Sequence, residues 1–473
     1  MPSAERKTNW GLPYGTTEVD ALTQTVNPQH LPRRFYLDCL ETFRPLDAAS
    51  FTLLPRKEKP NTMRKRFLTV LVVLFSFFVQ AQTTSRPKVR AITAFVDITP
   101  TGYRAELKKV RDVLAEVQKE YETAGYEVQS VRITTQPFPT YVKSMSRADA
   151  LKLLQQLDAL SIEGKYAFNI GPAMMSDADD PAMMELLAET LASTKELVAS
   201  AHIANRDGIQ WKVIAATAQM IKYVSAHSPN GVGNFNFNAT AMLAPYTPFY
   251  NGSYHLGNSG SGALKFAVGL QSANVVAEVL QAHAGDYAGA GAALRRELTR
   301  HTQDAEGVAQ RAAKRLGLDY LGIDPTPAPL MEVSIGAAIE NFTRQPLGSS
   351  GSMTAAYLIT DSVRSLPVKH VGYSGLMLPV LEDRRIAQRW SEGRVTADAL
   401  LSYSSVCATG LDTIPLAGDI SEEQLTRILG DVATLALKWN KPLTARLLPA
   451  PGKKAGDMTE FDNPFLVNAK IQP

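Results

Sequence analysis

The fold is decided by RAITAFVDIT (residues 90–99) and the segment that follows it, TGYRAELKKVRDVLAEVQKEYETAGY (101–126). The first segment is rich in β-branched and apolar residues, which is typical of a buried strand. In the second, apolar residues recur at intervals of three and four and so share one face of a helix. The residues on this face are Leu107, Val110, Leu114, Val117 and Tyr121. Together the two segments predict the strand-then-helix unit of an α/β protein.

The same alternation continues to the C-terminus. After EVQSVRITTQ (127–136), further strands are predicted at 166–171, 200–205, 234–243, 263–271, 319–324, 368–375, 406–414 and 443–449. Helices are predicted at 147–160, 182–199, 210–225, from Ala273, and at 287–316. About ten strands without a linker or a change in composition favour one closed α/β barrel with outer helices over an open sheet. We therefore expect residues 83–473 to form a single domain.

Composition and charge are those of an ordinary globular protein. Hydrophobic residues make up 45% and charged residues 20% of the chain, and the net charge is +3. The basic excess lies before residue 83, so the remaining body is close to neutral, which argues against nucleic acid as a partner. Of the two cysteines, Cys39 and Cys407, only Cys407 lies in the body, so the body contains no internal disulfide.

The segment MRKRFLTVLVVLFSFFVQAQ (63–82) has the features of a secretory signal peptide. Three basic residues precede an apolar run of about a dozen residues, and small residues stand at −3 and −1 of a cleavage site near Ala81. This predicts a periplasmic or secreted protein without stable membrane insertion after cleavage; a short membrane anchor is the alternative. Residues 1–62 are interpreted as an extension upstream of a true start at Met63, or as a disordered leader.

Polar and aromatic residues follow several predicted strands, where α/β barrels place their chemistry. Asp97 ends the first strand, and APYTPFYNGSYH (244–255) follows the fifth. Tyr246, Tyr250 and Tyr254 would line a small-molecule pocket, and the alternative is a packed surface loop. His255 is a candidate acid or base, although a lone histidine is often structural.

Two aspartates, a glycine-serine turn and a tyrosine complete the predicted site. Asp324 and Asp412 are candidate catalytic carboxylates, and the alternative for Asp324 is to cap a turn. GSSGS (348–352) precedes a helix, so it predicts either an anion site on backbone N–H groups or a serine cap. The ligand-binding candidates are Asp97, Tyr246, Tyr250, Ser349, Ser350, Gly351, Ser352 and Tyr373.

No sequence motif indicates a metal or a cofactor. HExxH, paired cysteines and spaced histidines are missing, so no metal site is predicted and the cofactor is left open. The GxSxG elbow of serine hydrolases and the glycine pattern of dinucleotide-binding folds are also missing.

Several long motifs in order resemble the domain-of-unknown-function family 711, also called the UPF0210-like family. They are GNFNF (233–237), PYTPFYNGSYH (245–255), GYSGLMLPVLED (372–383), SVCATGLDTIPLAGD (405–419) and LLPAPGKKAGDMTEFDNPFLVN (447–468). The resemblance runs from about Lys88 to the end of the chain. It implies a fold similar to pyruvate formate-lyase and anaerobic ribonucleotide reductase, a ten-stranded α/β barrel.

The resemblance also bears on Cys407. Enzymes of that fold use a loop cysteine and a glycyl radical near the C-terminus, which implies Cys407 as a candidate nucleophile. The tail of this sequence lacks the glycyl-radical signature, so radical chemistry is not expected. The alternative is that Cys407 is a small buried hydrophobic residue.

The resulting prediction is an exported enzyme that acts on a small polar or anionic metabolite at the barrel mouth. Its catalytic candidates are Cys407, His255, Asp324 and Asp412. A non-catalytic periplasmic small-molecule-binding protein is the first alternative, and a structural or interaction protein is the second. A homodimer is expected because barrels of this size often self-associate.

Overall fold

The computed structural model describes residues 84–250, 252–257 and 262–473, so the predicted leader and signal peptide lie outside the described residues. The strands are β1 (Lys88–Val96), β2 (Val131–Thr135), β3 (Ala167–Pro172), β4 (Leu197–Asn205), β5 (Gly208–Ile209), β6 (Phe237–Ala241), β7 (Lys265–Gln271), β8 (Asp319–Asp324), β9 (Gly410–Ala417) and β10 (Leu443–Ala450). The α-helices are α1 (Tyr103–Thr123), α2 (Pro139–Val142), α3 (Arg147–Gly164), α4 (Ala182–Ser193), α5 (Trp211–His227), α6 (Ala273–Ala282), α7 (Tyr287–Leu316), α8 (Ile335–Thr343), α9 (Ser352–Arg364), α10 (Arg384–Ser391), α11 (Ala397–Ser404) and α12 (Glu422–Trp439). The prediction of an α/β protein with ten strands is confirmed.

The strands form one mostly parallel sheet in the order β8-β7-β1-β2-β3-β4-β6-β10-β9, with β5 pairing β4. Strands β1, β2, β3, β4 and β6 run parallel to one another. Strand β7 is antiparallel to β1, and β10 is antiparallel to β6, while β8 and β9 run parallel to these two. The sheet therefore has two groups of opposite direction, and the amino ends of the first group lie at the same edge as the carboxyl ends of the second.

The helices form where sequence periodicity and capping agree. The apolar face predicted for α1 is buried, from Leu107 to Tyr121. Helix α3 begins after Ser146, whose hydroxyl accepts a hydrogen bond from the Asp149 N–H group, and α12 begins with a capping box between Ser421 and Gln424. These local signals fix the positions of the crossover helices, and their apolar faces pack against the sheet.

An extended segment, residues 369–381, contacts both edge strands of the sheet. The Ile323 N–H group of β8 donates to the Lys369 carbonyl (2.8 Å), and the Val380 N–H group donates to the Asp412 carbonyl of β9 (3.0 Å). The strand predicted at 368–375 is wrong, because the segment forms only a single bridge to β8, at His370. Gly322 has φ +146° and no side chain, which lets the Lys369 carbonyl approach β8 this closely.

The connection between β6 and β7 packs on one face of the sheet. The Thr93 hydroxyl of β1 donates to the Pro248 carbonyl (2.7 Å), and the Thr134 and Ser253 hydroxyls lie 2.8 Å apart. Tyr254 packs edge-on against His202 of β4, with ring centroids 4.6 Å apart. The connection is thus held against the sheet by buried hydrogen bonds to β1 and β2 and by a ring contact to β4.

Candidate ligand-binding site

A cavity of about 770 Å³ lies on the face of the sheet that the β6–β7 connection covers. It is bounded by the amino ends of β1 to β4 and of β6, by the connection after β8 (Ala328–Leu330) and by part of the extended segment before α10. Phe249 and Tyr250 of the β6–β7 connection form one wall. The cavity thus lies at the amino ends of the first strand group. The sequence had instead predicted a site at the carboxyl ends of the strands.

Three arginines inside predicted strands reach this cavity: Arg90 of β1, Arg132 of β2 and Arg446 of β10. They face two carboxylates, Glu382 and Asp412. The three positive charges exceed the two negative charges, so the interior has a net positive charge when all five groups are ionised.

Arg446 is the centre of a buried ion-pair network. Its Nε atom lies 2.7 Å from Asp412 Oδ1, and its Nη2 group donates to Glu382. Arg90 Nη2 lies 3.5 Å from the second oxygen of Glu382. Burial acts to lower the pKa of Arg446, but the two carboxylates outweigh it and the pKa is raised. Burial also raises the pKa of Glu382 although both arginines oppose that shift.

Arg132 is held differently, because no carboxylate among the described residues forms an ion pair with it. Its Nε group donates to the Ser130 hydroxyl (3.0 Å), and its Nη1 group is buried without a hydrogen-bond partner. Its Cζ atom lies 3.9 Å from the centroid of the Tyr250 ring. Only 6% of Arg132 is exposed, and burial lowers its pKa to about 10, which leaves it positively charged at neutral pH.

The mouth of the cavity carries two lysines, Lys165 at the end of α3 and Lys195 before β4. The Asp158 carboxylate of α3 accepts hydrogen bonds from three consecutive N–H groups, those of residues 195–197. This contact fixes the turn that presents Lys195 to the mouth. Phe465 of the C-terminal tail also lines the mouth and remains 49% exposed.

Of the residues predicted from sequence, Tyr250 and Asp412 line the cavity. Asp97 and His255 lie together elsewhere, with 3.7 Å between Asp97 Oδ1 and His255 Nδ1. Asp97 follows the carboxyl end of β1, which the rise of a strand puts about 20 Å from Arg90. Tyr246 belongs to this second group, since its ring stacks on His255. The structure therefore does not assemble the predicted residues into one site.

Asp324 and Tyr373 lie beside the cavity wall and organise loops. The Asp324 carboxylate accepts hydrogen bonds from the Thr326 hydroxyl (2.5 Å) and from the N–H groups of Tyr373 (2.8 Å) and Ser374 (3.1 Å). Burial raises the pKa of Asp324 to about 6 despite these hydrogen bonds. These contacts match the turn-capping alternative and tie the connection after β8 to the extended segment.

Cys407 and the GSSGS turn lie outside the cavity lining. Cys407 is 1% exposed, and its thiol lies 3.8 Å from the Ser404 hydroxyl. In the turn, the Ser349 N–H group donates to the Pro346 carbonyl and the Ser352 N–H group to the Ser349 carbonyl. These N–H groups are thus used within the turn, and Gly351, with φ +96°, caps α9 without a side-chain hydrogen bond.

Sequence reasoning missed Arg90, Arg132, Arg446 and Glu382. The available signal was a charged residue inside each of three predicted buried strands, at KVRAI, SVRIT and TARLL. A buried arginine is rare unless it is paired or functional. Glu382 gave no such signal, because it lies in a connection 64 residues from Arg446.

The family model described as "Uncharacterised ACR (DUF711)" matches residues 82–462. The chain belongs to this family. A UPF0210 protein of Pyrobaculum aerophilum is 32% identical over 365 residues, which cover 74% of this chain and 79% of the relative. A UPF0210 protein of Methanococcoides burtonii is 28% identical over 375 residues, covering 76% and 81%. The resemblance seen in the motifs is confirmed.

Among solved structures, this chain is similar to anaerobic ribonucleotide reductases. An anaerobic ribonucleotide reductase matches at 8% identity with a TM-score of 0.35, covering 76% of this chain and 70% of that one. The Thermotoga maritima enzyme with citrate in its active site matches at 8% identity with a TM-score of 0.29, covering 76% and 80%.

These relatives correct the functional prediction. The DUF711 relatives come from archaea and anaerobic bacteria and carry no indication of export, so the prediction of an exported enzyme, or of a periplasmic binding protein, is wrong. In the part of the chain that the structure describes, no helix has the length and apolar character needed to span a membrane. The same residues contain no group of three or more His, Cys, Asp or Glu side chains placed to hold a metal.

Proposed function

We propose that this DUF711 domain binds a small carboxylate inside the sheet, with the guanidinium of Arg132 as its anchor. The observation that carries the proposal is that Arg132 is buried and charged, and that within the described part of the chain no carboxylate pairs with it and its Nη1 group has no hydrogen-bond partner. An unpaired buried charge is costly, and proteins keep one where a ligand of opposite charge completes it.

The surroundings of Arg132 favour a carboxylate over other anions. Tyr250 covers one face of the guanidinium, and Ser130 occupies Nε, so the Nη groups are the donors that remain for a ligand. A planar carboxylate matches these groups with two parallel hydrogen bonds. Arg446 is already used by Asp412 and Glu382, so it does not supply the second cation that a phosphate dianion favours.

A closed sheet would separate this carboxylate site from water, and we include closure in the proposal. Support comes from the extended segment 369–381, which donates and accepts backbone hydrogen bonds with β8 and also bonds to β9. Lys165 and Lys195 are balanced by Glu127 and Glu196 of the same lining, so the positive charge that would attract an anion is that of the interior arginines.

The test measures thermal stabilisation of the full-length chain by matched pairs of ligands. Propionate, succinate and benzoate are compared with propionamide, succinamide and benzamide, and with inorganic phosphate. We expect at least one carboxylate to raise Tm and its amide to leave Tm unchanged. At a hundred times its Kd, a ligand stabilises the folded protein by about 2.7 kcal/mol.

Arg132→Gln should abolish the response, and Arg147→Gln should leave it intact. Arg147 is a suitable control because it is a surface arginine paired with Glu185 and Glu189. Equal stabilisation by acids and amides, a response confined to phosphate, or full binding by Arg132→Gln would each contradict the proposal.

A further inference from the structure

One wall of the cavity is apolar. Phe249 of the β6–β7 connection, Ala328 of the connection after β8 and Met377 of the extended segment all line the cavity. These three residues belong to one hydrophobic cluster, which is separate from the main core of the domain. Arg132 and Phe249 also line the same narrow gap beside the cavity. The apolar wall therefore begins next to the guanidinium that is proposed to hold the carboxylate.

The cavity is longer than a small acid. Residues 127–132 line it without interruption. This segment is extended, because the Val89 N–H group of β1 donates to the Glu127 carbonyl and the Gln129 N–H group donates to the Val89 carbonyl. A strand rises about 3.3 Å per residue, so the cavity follows this segment for about 17 Å, from Glu127 to Arg132. The Glu127 side chain is 61% exposed, which puts this end of the cavity at the protein surface.

The mouth of the cavity also carries apolar side chains. Ile162 of α3 and Phe465 of the C-terminal tail line the cavity and are 47% and 49% exposed. Large apolar side chains that stay exposed around a concave site are typical of places where an apolar partner binds. A ligand that reaches from Arg132 to the surface would cover both side chains.

The other two arginines of the interior already contact carboxylates. Arg446 contacts Asp412 and Glu382, and Arg90 lies 3.5 Å from Glu382. In the part of the chain that the structure describes, no carboxylate pairs with Arg132 in this way. A second carboxylate on the ligand would lie against apolar side chains or beside the carboxylates of the protein, and burying an unpaired charge is costly. The lining therefore favours a ligand with a single negative charge.

We infer that the bound acid is a monocarboxylate with an apolar alkyl or aryl body, which lies against Phe249, Ala328 and Met377 and points toward the mouth. This inference rests on the proposed carboxylate site and names its ligand class. Arg132 binds the carboxylate, and the affinity grows with the apolar area that the body buries. Short acids use only the anchor, so they bind weakly.

The experiment compares acids that differ only in the body. Full-length protein is titrated by calorimetry with butyrate, octanoate, dodecanoate and 3-phenylpropionate. Octanedioate is the matched control for charge, since it adds a second carboxylate at the far end of the octanoate chain. A fully buried methylene lowers Kd by about fourfold, so octanoate should bind at least about tenfold more tightly than butyrate. Octanedioate should bind at least about tenfold more weakly than octanoate.

A polar side chain in the wall should remove the advantage of the longer acid. Met377→Gln keeps the length of the side chain, and it should raise the Kd of octanoate by about fivefold while the Kd of butyrate stays within about twofold. Met353→Gln is the matched control, because Met353 is a 40% exposed methionine of α9 outside the lining. Equal effects of the two variants on octanoate would contradict a body that lies against this wall.

The mouth gives a test that leaves the core intact. Ile162→Ser combined with Phe465→Ser changes only exposed side chains, and it should raise the Kd of dodecanoate by about tenfold while the Kd of butyrate is unchanged. Tyr357→Ser, at a 54% exposed residue of α9, is the control and should leave both Kd values unchanged. An unchanged Kd of dodecanoate in the double variant would contradict a body that points toward the mouth.

The two proposals fail in different ways. If butyrate and octanoate bind through Arg132 with equal Kd values, or if octanedioate binds as tightly as octanoate, the inferred ligand class is wrong and the carboxylate site stands. If Arg132→Gln binds the longer acids as tightly as the wild type, or if no acid binds, both are wrong.

Discussion

The guanidinium carbon of Arg132 lies 3.9 Å from the centroid of the Tyr250 ring, although the two residues are far apart in the sequence. Arg132 comes from β2, and Tyr250 comes from the connection between β6 and β7, which packs on the sheet. The backbone carbonyl of Tyr250 accepts a hydrogen bond from the Asn169 side chain (3.2 Å), which holds the connection at this depth. The ring therefore supports a buried cation that pairs with no carboxylate of residues 84–250, 252–257 and 262–473.

Removing the Tyr250 ring should weaken carboxylate binding. A desolvated cation–π contact contributes about 2 kcal/mol, so Tyr250→Ala should raise Kd by about 30-fold. Tyr250→Phe keeps the ring and should stay within threefold of the wild type. Calorimetric titration with the best carboxylate checks both variants, and equal Kd values for Tyr250→Ala and the wild type would show that the ring does not support Arg132.

Breaking the Arg446 network should destabilise the fold more than removing it whole. Arg446→Met leaves Asp412 and Glu382 buried without their shared cation, which should lower the free energy of unfolding by about 3–5 kcal/mol. The triple variant with Asp412→Asn and Glu382→Gln as well should recover part of this loss. Urea denaturation measures the difference.

The matched control for the Arg446 network is Arg147→Met. Arg147 also pairs with two glutamates but is 45% exposed, so its loss should cost less than about 1 kcal/mol. A cost for Arg446→Met no larger than that of Arg147→Met would contradict the assignment of a buried network.

The sequence predicted local structure well because its signals are local. The face of α1 from Leu107 to Tyr121 follows from periodicity alone, and the structure buries it. The cavity was not predictable in this way, since it depends on which strand ends share an edge of the sheet. The antiparallel pairing of β7 with β1 and of β10 with β6 decides that, and alternating strands and helices gave no sign of these reversals.

Individual residues show the same limit. Asp97 and Asp412 were predicted on the same argument, yet only Asp412 reaches the cavity. Asp412 lies within β9 and contacts Arg446 of the neighbouring strand β10. Asp97 follows the carboxyl end of β1 and lies beside His255. The side chains that surround a strand end can be predicted only when the order and the directions of the neighbouring strands are known.

His202 should make the fold sensitive to mild acid. It is buried on β4, its Nε2 atom has no hydrogen-bond partner among the residues that the structure describes, and burial lowers its pKa to about 4 from 6.5. Between these two pH values the unfolded chain binds the proton that the folded protein excludes. Stability is therefore fully present above pH 6.5 and is lost as the pH falls toward 4, by about 3 kcal/mol in total.

The measurement is the free energy of unfolding from pH 8 to pH 4 for the wild type and for His202→Phe, which keeps a ring against Tyr254. All other titrating groups are the same in both proteins, so the difference between the two curves isolates His202. We expect the wild type to lose more stability than the variant below pH 6.5. Parallel curves would rule out a buried neutral His202.

Gly322 should be intolerant of a side chain because the extended segment crosses it. A Cβ atom there would overlap the Lys369 carbonyl oxygen, and φ is +146°. Gly208 provides a matched control, since its φ is +122° but nothing lies within 4 Å of its Cβ position. Gly208→Ala should therefore cost only the backbone strain, about 1 kcal/mol, whereas Gly322→Ala should cost about 3 kcal/mol or more.

The difference in unfolding free energy between Gly322→Ala and Gly208→Ala measures the cost of the steric clash between residue 322 and the Lys369 carbonyl. Because the Asp324 carboxylate ties the same segment to the connection that lines the cavity, Gly322→Ala should also weaken carboxylate binding, while Gly208→Ala should not. Urea denaturation and calorimetric titration of both variants separate the two effects. Similar unfolding free energies for the two variants would mean that the extended segment moves away from β8 at little cost, and that it does not hold the cavity wall in place.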